Sequence, residues 1–328
     1  MSDPLSITDR DRVIALLATA QQGANRVIDE RAMCESLTSR VRGQDHVIAD
    51  VARLIRLEWG KQQRSKPIAS LLFLGPTGTG KTELAKALAT YLFQDERNLL
   101  RFDCSEFSGP EGKTRLIGSP TGYVGADQGG QLTRRVLNNP RQIILFDEIE
   151  KAWPGIFDLF LSMLGDGRLT EQGSGKVADF TQSIVVLTSN AEHEAIARIQ
   201  DQISDPHELR NAVKSHLRDS KVFRPELIGR FDAVYVFKPL EPLVKAEVVA
   251  IKMQLLAKEY GLELCHVAPE LIFEALMKSE KLKDFGVREL INVVRDLLGS
   301  GFIEAKNAGA RKIRVDVAAN GDLEIQPA

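Results

Sequence analysis

Gly75-Pro76-Thr77-Gly78-Thr79-Gly80-Lys81-Thr82 sits directly after a short run, Ser70 to Leu74, apolar from its second residue on, and directly before a helical stretch, residues 83–93. Strand, glycine-rich turn and helix in that order form a phosphate-binding loop. The glycines let the backbone curl so that successive amides face phosphate oxygens, and the helix N-terminus adds its partial positive charge. In that geometry Lys81 reaches the β and γ phosphates and Thr82 ligates magnesium.

Working outward, further apolar runs at residues 99–102, 142–146, 183–188 and 234–237 alternate with helical segments. Runs with no polar alternation are buried on both faces, which predicts parallel strands covered by helices on each side. The fold class is therefore α/β, a doubly wound, parallel five-stranded sheet. Ile143-Ile144-Leu145-Phe146-Asp147-Glu148 ends one such strand in two carboxylates. Parallel strands of one sheet bring their carboxyl ends to one crevice, so these acids are expected beside the phosphate loop. Asp147 fits a magnesium partner, directly or through water, and Glu148 a base that polarises the attacking water.

The flanks are helical. Residues 8–23 predict a short amphipathic helix with Val13, Leu16 and Leu17 in an apolar stripe; residues 26–39 and 44–60 predict two more, the last with Val47, Ile48, Val51, Leu54 and Ile55 on one face. After Pro239 and Pro242 helices dominate, at 243–260, 269–279 and 288–307, and the tail around Asn320-Gly321 has hairpin chemistry. The division expected is residues 1–40 as a helical extension, 41–240 as the large α/β domain and 241–328 as a smaller α+β domain.

Composition narrows the function. The chain has 328 residues, with 43 Lys+Arg against 45 Asp+Glu for a formal charge of -2, and it is 43% hydrophobic. That is an ordinary globular balance, with no bulk attraction to nucleic acid or acidic membranes, so neither is an expected partner. Three cysteines, odd in number and far apart, argue against a disulfide framework. With no signal-like start and no apolar run near ~20 residues, the expected compartment is the cytoplasm. His193-Glu194 is followed by Ala197 where a zinc protease needs a second histidine, and Cys265 and His266, neighbours on a strand, point to opposite faces, so no catalytic metal cluster is expected.

A longer series of motifs resembles one family. Val41-Arg42-Gly43-Gln44, the phosphate loop, Arg101-Phe102-Asp103-Cys104-Ser105-Glu106-Phe107, Gly122-Tyr123-Val124-Gly125, Asp147-Glu148-Ile149-Glu150-Lys151-Ala152, Asp166-Gly167-Arg168-Leu169-Thr170, Thr188-Ser189-Asn190, Phe223-Arg224-Pro225-Glu226 and Gly286-Val287-Arg288 are similar to AAA+ ATPases of the Clp unfoldase family, most strongly the second ATPase module of the ClpB disaggregases. The resemblance covers almost all of the chain after residue 40. It implies a homo-oligomeric ring, usually of six subunits, with ATP and Mg2+ held between neighbours and protein substrates pulled through a central channel. Val41 and Val287 would flank the nucleotide, together with Gly75, Pro76, Thr77, Gly78, Thr79, Gly80, Lys81, Thr82 and Asp147. Asn190 would position the attacking water beside Glu148. Arg230 would be the arginine finger into the adjacent subunit's site, and Arg288 a contact to the phosphates from the smaller domain, which would be the lid of the large ATPase domain. Tyr123 and Val124 would line the channel and grip polypeptide, with residues 165–180 as a second channel loop.

Three positions depart from the pattern. Arg42 replaces an apolar neighbour of the adenine, Gly229 replaces the Asn before the finger, leaving Arg224 as the alternative finger, and Glu289 replaces a proline. Ile117-Gly118 is followed by Ser119 and Ile228-Gly229 by Arg230, so the tripeptide that docks Clp unfoldases on their peptidase is missing and no peptidase partnership is expected. Nor does the sequence show a substrate-binding N-domain, a first ATPase module or a coiled-coil insert; substrates would be recruited by the first forty residues, the channel or an adaptor. Two other readings remain open: an AAA+ switch or loader on nucleic acid, and a nucleotide-regulated scaffold with weak hydrolysis.

Overall fold

The computed structural model describes residues 27–123, 127–280, 287–317 and 323–328, and the side chains of all of these except 279–280 and 287–293. The helix expected at residues 8–23, with Val13, Leu16 and Leu17, lies outside the described residues, as does Val124.

Ten strands are present among the described residues: β1 Ala69–Leu74, β2 Leu99–Asp103, β3 Ile143–Asp147, β4 Arg168–Thr170, β5 Val177–Asp179, β6 Ile184–Ser189, β7 Ala233–Val236, β8 Glu263–Val267, β9 Lys312–Val317 and β10 Leu323–Pro327. The α-helices are α1 Glu30–Arg40, α2 Asp45–Trp59, α3 Lys81–Phe93, α4 Glu111–Ile117, α5 Gln131–Asn138, α6 Phe157–Asp166, α7 His193–Gln202, α8 Pro206–Asp219, α9 Pro225–Ile228, α10 Pro242–Glu259, α11 Pro269–Glu280 and α12 Val287–Asn307. The main sheet has five strands in the order β2-β3-β6-β1-β7, every pair parallel, as the apolar runs predict.

Side-chain alternation distributes these strands over two cores. Leu71, Phe73, Ile143, Leu145, Ile184, Val186 and Tyr235 face one, packed under α1, α2 and α3 by Met33, Leu37, Val51, Ile55 and Leu88. Leu72, Leu74, Ile144, Phe146, Val185, Leu187, Val234 and Val236 face the other, with Phe160, Met163, Val213 and Leu217. Both faces are covered, which is why the middles of β1, β3 and β6 are apolar and their polar residues, Ser70, Asp147, Thr188 and Ser189, stand near the strand ends. The edge strand β2 departs from that reading: Leu99 and Leu100 are only half-buried and Arg101 is exposed, whereas β7 at the other edge is buried throughout.

Local chemistry sets the helix ends. Asp29 caps α1, its carboxylate accepting from the Arg31 and Ala32 N–H groups at 2.9 and 3.2 Å, so the helix starts at Glu30 rather than at residue 26. Val47, Ile48, Val51, Ala52 and Ile55 form the buried stripe of α2.

A third core collects Val249, Met253, Leu256, Leu271, Val294, Leu298, Phe302, Ile313 and Val315. The expected tail hairpin is present as the antiparallel pair β9–β10, and it is enlarged by β8, which pairs parallel with β9. The register of β8 slips between Leu264 and His266, and Cys265 and His266 are both exposed instead of facing opposite sides. Among the described residues no helix is long and apolar enough to cross a membrane.

Candidate nucleotide site

In the sheet order β3-β6-β1, the carboxyl ends of three adjacent strands meet. β1 runs into the phosphate loop, β3 ends at Asp147 and β6 ends at Ser189, with Leu74 opposite Ser189 and Phe73 opposite Thr188. This register, more than any single residue, assembles the site.

The loop is held by backbone conformations that side chains resist. Gly75, Gly78 and Gly80 have φ of 136, 79 and 100°, and a Cβ at Gly75 would lie 2.6 Å from the Phe237 carbonyl oxygen. Lys81 opens α3 at 8% exposure and curls back onto the loop, its Nζ donating to the Gly75 and Pro76 carbonyls at 2.6 and 2.8 Å. Burial lowers its ammonium to about 8, and Asp147, Glu150 and Glu148 only partly offset that. A buried ammonium resting on two carbonyls is ready for a stronger anionic partner.

Asp147, 4% exposed, is the hub of the acidic side. Thr82 Oγ1 donates toward its two oxygens at 3.3 and 3.2 Å, Arg101 Nη2 donates to Oδ2 at 2.7 Å, and the Thr188 hydroxyl donates to Oδ1. A threonine hydroxyl beside a carboxylate is a hard oxygen set of the kind magnesium takes. Glu148 follows in the left-handed region, φ 57°, and its N–H donates to Thr188 Oγ1 at 3.1 Å. Its carboxylate accepts from Lys151 Nζ at 2.6 Å, a bond that raises the Lys151 ammonium above its usual range. Asn190 lines the same space; its N–H reaches Glu150 Oε1 at 3.4 Å and its carbonyl meets His193 Nδ1 at 3.0 Å.

These groups line a cleft of about 600 Å³. Its floor is the phosphate loop, and its far wall is apolar: Val41 beside Leu240, Val248 and Ile251, the last two from α10. Arg42 stands on that wall at 38% side-chain exposure, its Nε buried without a hydrogen bond and 3.7 Å from Glu247. Phosphate-binding groups at one end and an apolar slot at the other are the two halves of a nucleotide pocket.

Not every expected residue joins the cleft. Tyr123 is 72% exposed on its own loop. Arg230 is exposed, its guanidinium lying over Gly165 at the end of α6, and Arg224 is paired with Asp158 at 2.5 Å. Val287 and Arg288 begin α12, with side chains outside the description. Conversely, Arg101, Thr188, Lys151, Val248 and Ile251 line the cleft without having been assigned from sequence. Arg101 and Thr188 both sat within quoted motifs. What would have exposed them is the pairing of Asp103 with Asp147 and of Phe73 with Thr188.

Residues 66–234 match the family described as AAA domain (Cdc48 subfamily). The chain belongs to this family of AAA ATPases. It is 40% identical over 309 residues to Chaperone protein ClpB 2 of Parasynechococcus marenigrum (strain WH8102), covering 90% of this chain and 34% of that protein. It is 37% identical over 301 residues to Chaperone protein ClpB of Bdellovibrio bacteriovorus, covering 88% and 34%. It is 42% identical over 230 residues to Negative regulator of genetic competence ClpC/MecB of Bacillus subtilis (strain 168), covering 68% and 28%. The chain thus spans about a third of the length of the relatives it matches.

Proposed function

We propose that the chain is the motor of an ATP-dependent protein remodeller. It would assemble as a homo-oligomeric ring, hydrolyse Mg-ATP between subunits and pull polypeptide through the central channel. The observation that carries this reading is one cleft holding the phosphate loop, the Thr82–Asp147 pair and Glu148 against an apolar slot. The likeness to ClpB and ClpC proteins supports the choice of polypeptide as cargo.

In this reading the loop amides and Lys81 bind the phosphates, and Lys81 exchanges its two carbonyl partners for phosphate oxygens. Thr82 and Asp147 would hold magnesium, which neutralises charge on the β and γ oxygens. Glu148 accepts the proton of the attacking water, and Asn190 orients that water. Val41, Leu240, Val248 and Ile251 bind the base. Arg230 completes the pocket of the adjacent copy, and such fingers are worth ~10³ to 10⁵ in turnover. Its exposed place over Gly165, outside its own cleft, supports a role in trans. Tyr123, exposed between glycines, suits a gripping aromatic.

The division at about residue 240 belongs to the same proposal: residues 41–240 carry the catalytic groups, 241–328 form a lid contributing Val248 and Ile251 and, through Val287 and Arg288, a nucleotide sensor, and 1–40, whose α1 packs into the core through Met33 and Leu37, would recruit an adaptor or substrate. A cytoplasmic location, with neither a Clp peptidase nor nucleic acid as partner, completes the reading. A tagged fluorescent reporter tests it. The intact chain should unfold it with ATP and magnesium, and Tyr123→Ala should abolish unfolding while sparing hydrolysis. ATPase stimulation by DNA with a steep salt dependence, and none by protein, would overturn the cargo assignment.

A further inference from the structure

Glu171 follows β4, 3% exposed, and does not line the nucleotide cleft. A buried carboxylate must be satisfied. Glu171 achieves this with its own turn, the Gly173 N–H donating to Oε1 at 3.0 Å and the Ser174 N–H to Oε2 at 2.5 Å, while its Oε1 lies against Gly118 and beside the Gly130 N–H. Gly173 and Ser174 form the turn of the β4–β5 hairpin, whereas Gly130 closes the separate loop that carries Tyr123.

The two loops are cut to fit this carboxylate. At Gly118, φ 89°, an added Cβ would run into Glu171 Oε1, and at Gly130 it would strike the backbone of Ile117. Gly129, φ 68°, would bring a Cβ to 3.7 Å from the same oxygen. Bonds around the carboxylate run between the same segments: Gln172 N–H donates to the Ile117 carbonyl at 2.8 Å, and Thr121 Oγ1 to the Gly173 carbonyl at 3.5 Å. Both feet of the Tyr123 loop, Gly118 and Gly130, and the hairpin turn thus converge on one side chain.

The hairpin that carries Glu171 is also joined, at its base, to the strand that ends in Asp147. Phe146, the residue before Asp147, packs edge-on against Phe160 of α6 at 4.7 Å. α6 ends at Gly167, whose carbonyl accepts from the Phe180 N–H at 2.8 Å at the base of the hairpin. Rigid elements joined end to end can carry a displacement from the phosphates to the loops.

We infer that Glu171 is a positioning residue that locks the Tyr123 loop and the 171–175 turn into one gripping unit, so that both advance together when the nucleotide cleft changes. The inference rests on the polypeptide-channel reading above. It assigns the coupling to this carboxylate, which touches neither nucleotide nor cargo.

The test is Glu171→Gln in the full chain, with Glu171→Asp as a second variant that keeps the charge but shortens its reach. Hydrogen exchange should lose protection in residues 117–123 and 127–130 together with 172–175, because the carboxylate shapes the turn that bonds Ile117 and Thr121 and lies against Gly118. Basal ATP hydrolysis should stay within about twofold while reporter unfolded per ATP falls about tenfold or more, with Glu171→Asp between. Should Glu171→Gln melt below assay temperature, Glu171→Asp carries the same comparison. Loss of protection in the hairpin turn alone would overturn the inference, as would joint loss with unchanged unfolding per ATP. If the unsubstituted chain hydrolyses ATP without unfolding any reporter, the cargo reading fails by itself. Exchange then still decides whether Glu171 joins the loops.

Discussion

Thr188 offers the sharpest test of how the acidic side of the cleft is built. Its hydroxyl, 1% exposed, donates to Asp147 Oδ1 and accepts the N–H of Glu148, so it fixes the Asp147 carboxylate and the left-handed turn that carries Glu148. Thr188→Val keeps the shape and removes both bonds. A hydrogen bond to a charged group contributes ~1.5–3 kcal/mol, and an orphaned buried N–H costs ~1–3. The terms share one atom and do not add fully, so we expect a loss of about 2–4 kcal/mol in urea unfolding without nucleotide. Without its N–H anchor Glu148 can relax from φ 57°, so kcat should fall about tenfold or more with KM within about threefold. Thr188→Ser, which restores the hydroxyl, should recover most of both. A valine variant within ~0.5 kcal/mol of the parent and with unaltered kcat would refute the reasoning.

Two further outcomes follow from the same cleft. Lys81 is held at about 8 in the folded chain against 10.5 when free, so between those values the unfolded chain keeps a proton that the native state has shed, and stability must rise with pH across the window. The gain should reach about 3 kcal/mol by pH 10.5 relative to Lys81→Met, read from urea midpoints of the nucleotide-free protein; parallel curves for the two proteins would contradict it. Arg42→Val should tighten binding of a fluorescent ADP about two- to tenfold, since it removes a charge whose Nε is buried without a hydrogen bond on the base-side wall. Weaker binding would mean that Arg42 engages the nucleotide.

Much of this architecture is visible in the chain before any coordinates, for definite reasons. A phosphate loop is local: its glycines, lysine and threonine are contiguous, and the flanking strand and helix are continuous with it. The acids of Asp147-Glu148 are equally local, and unbroken apolar runs identify strands covered on both faces. What escapes is whatever depends on register or on contact between distant segments. Leu99, Leu100 and Phe102 look as apolar as any central strand, yet β2 lies at the edge. Arg101 matters because Asp103 pairs with Asp147, and Thr188 because β6 lies between β3 and β1. Val248 and Ile251 enter the cleft only because α10 is folded against it. Strand β8 hides its period of two behind a register slip that leaves Cys265 and His266 both exposed.

The central claim is that each copy completes its neighbour's nucleotide pocket, and mixing two dead variants tests it most directly. Glu148→Gln lacks its own base but keeps Arg230; Arg230→Ala keeps its base but lacks the finger. Each alone should hydrolyse ATP at under about a thousandth of the parent rate. Mixed in equal amounts and reassembled, about a quarter of the interfaces should join an intact base to an intact finger, and hydrolysis should return to about a quarter of the parent rate. A mixture no more active than its parts, under conditions where the unsubstituted chain is active, would contradict the account.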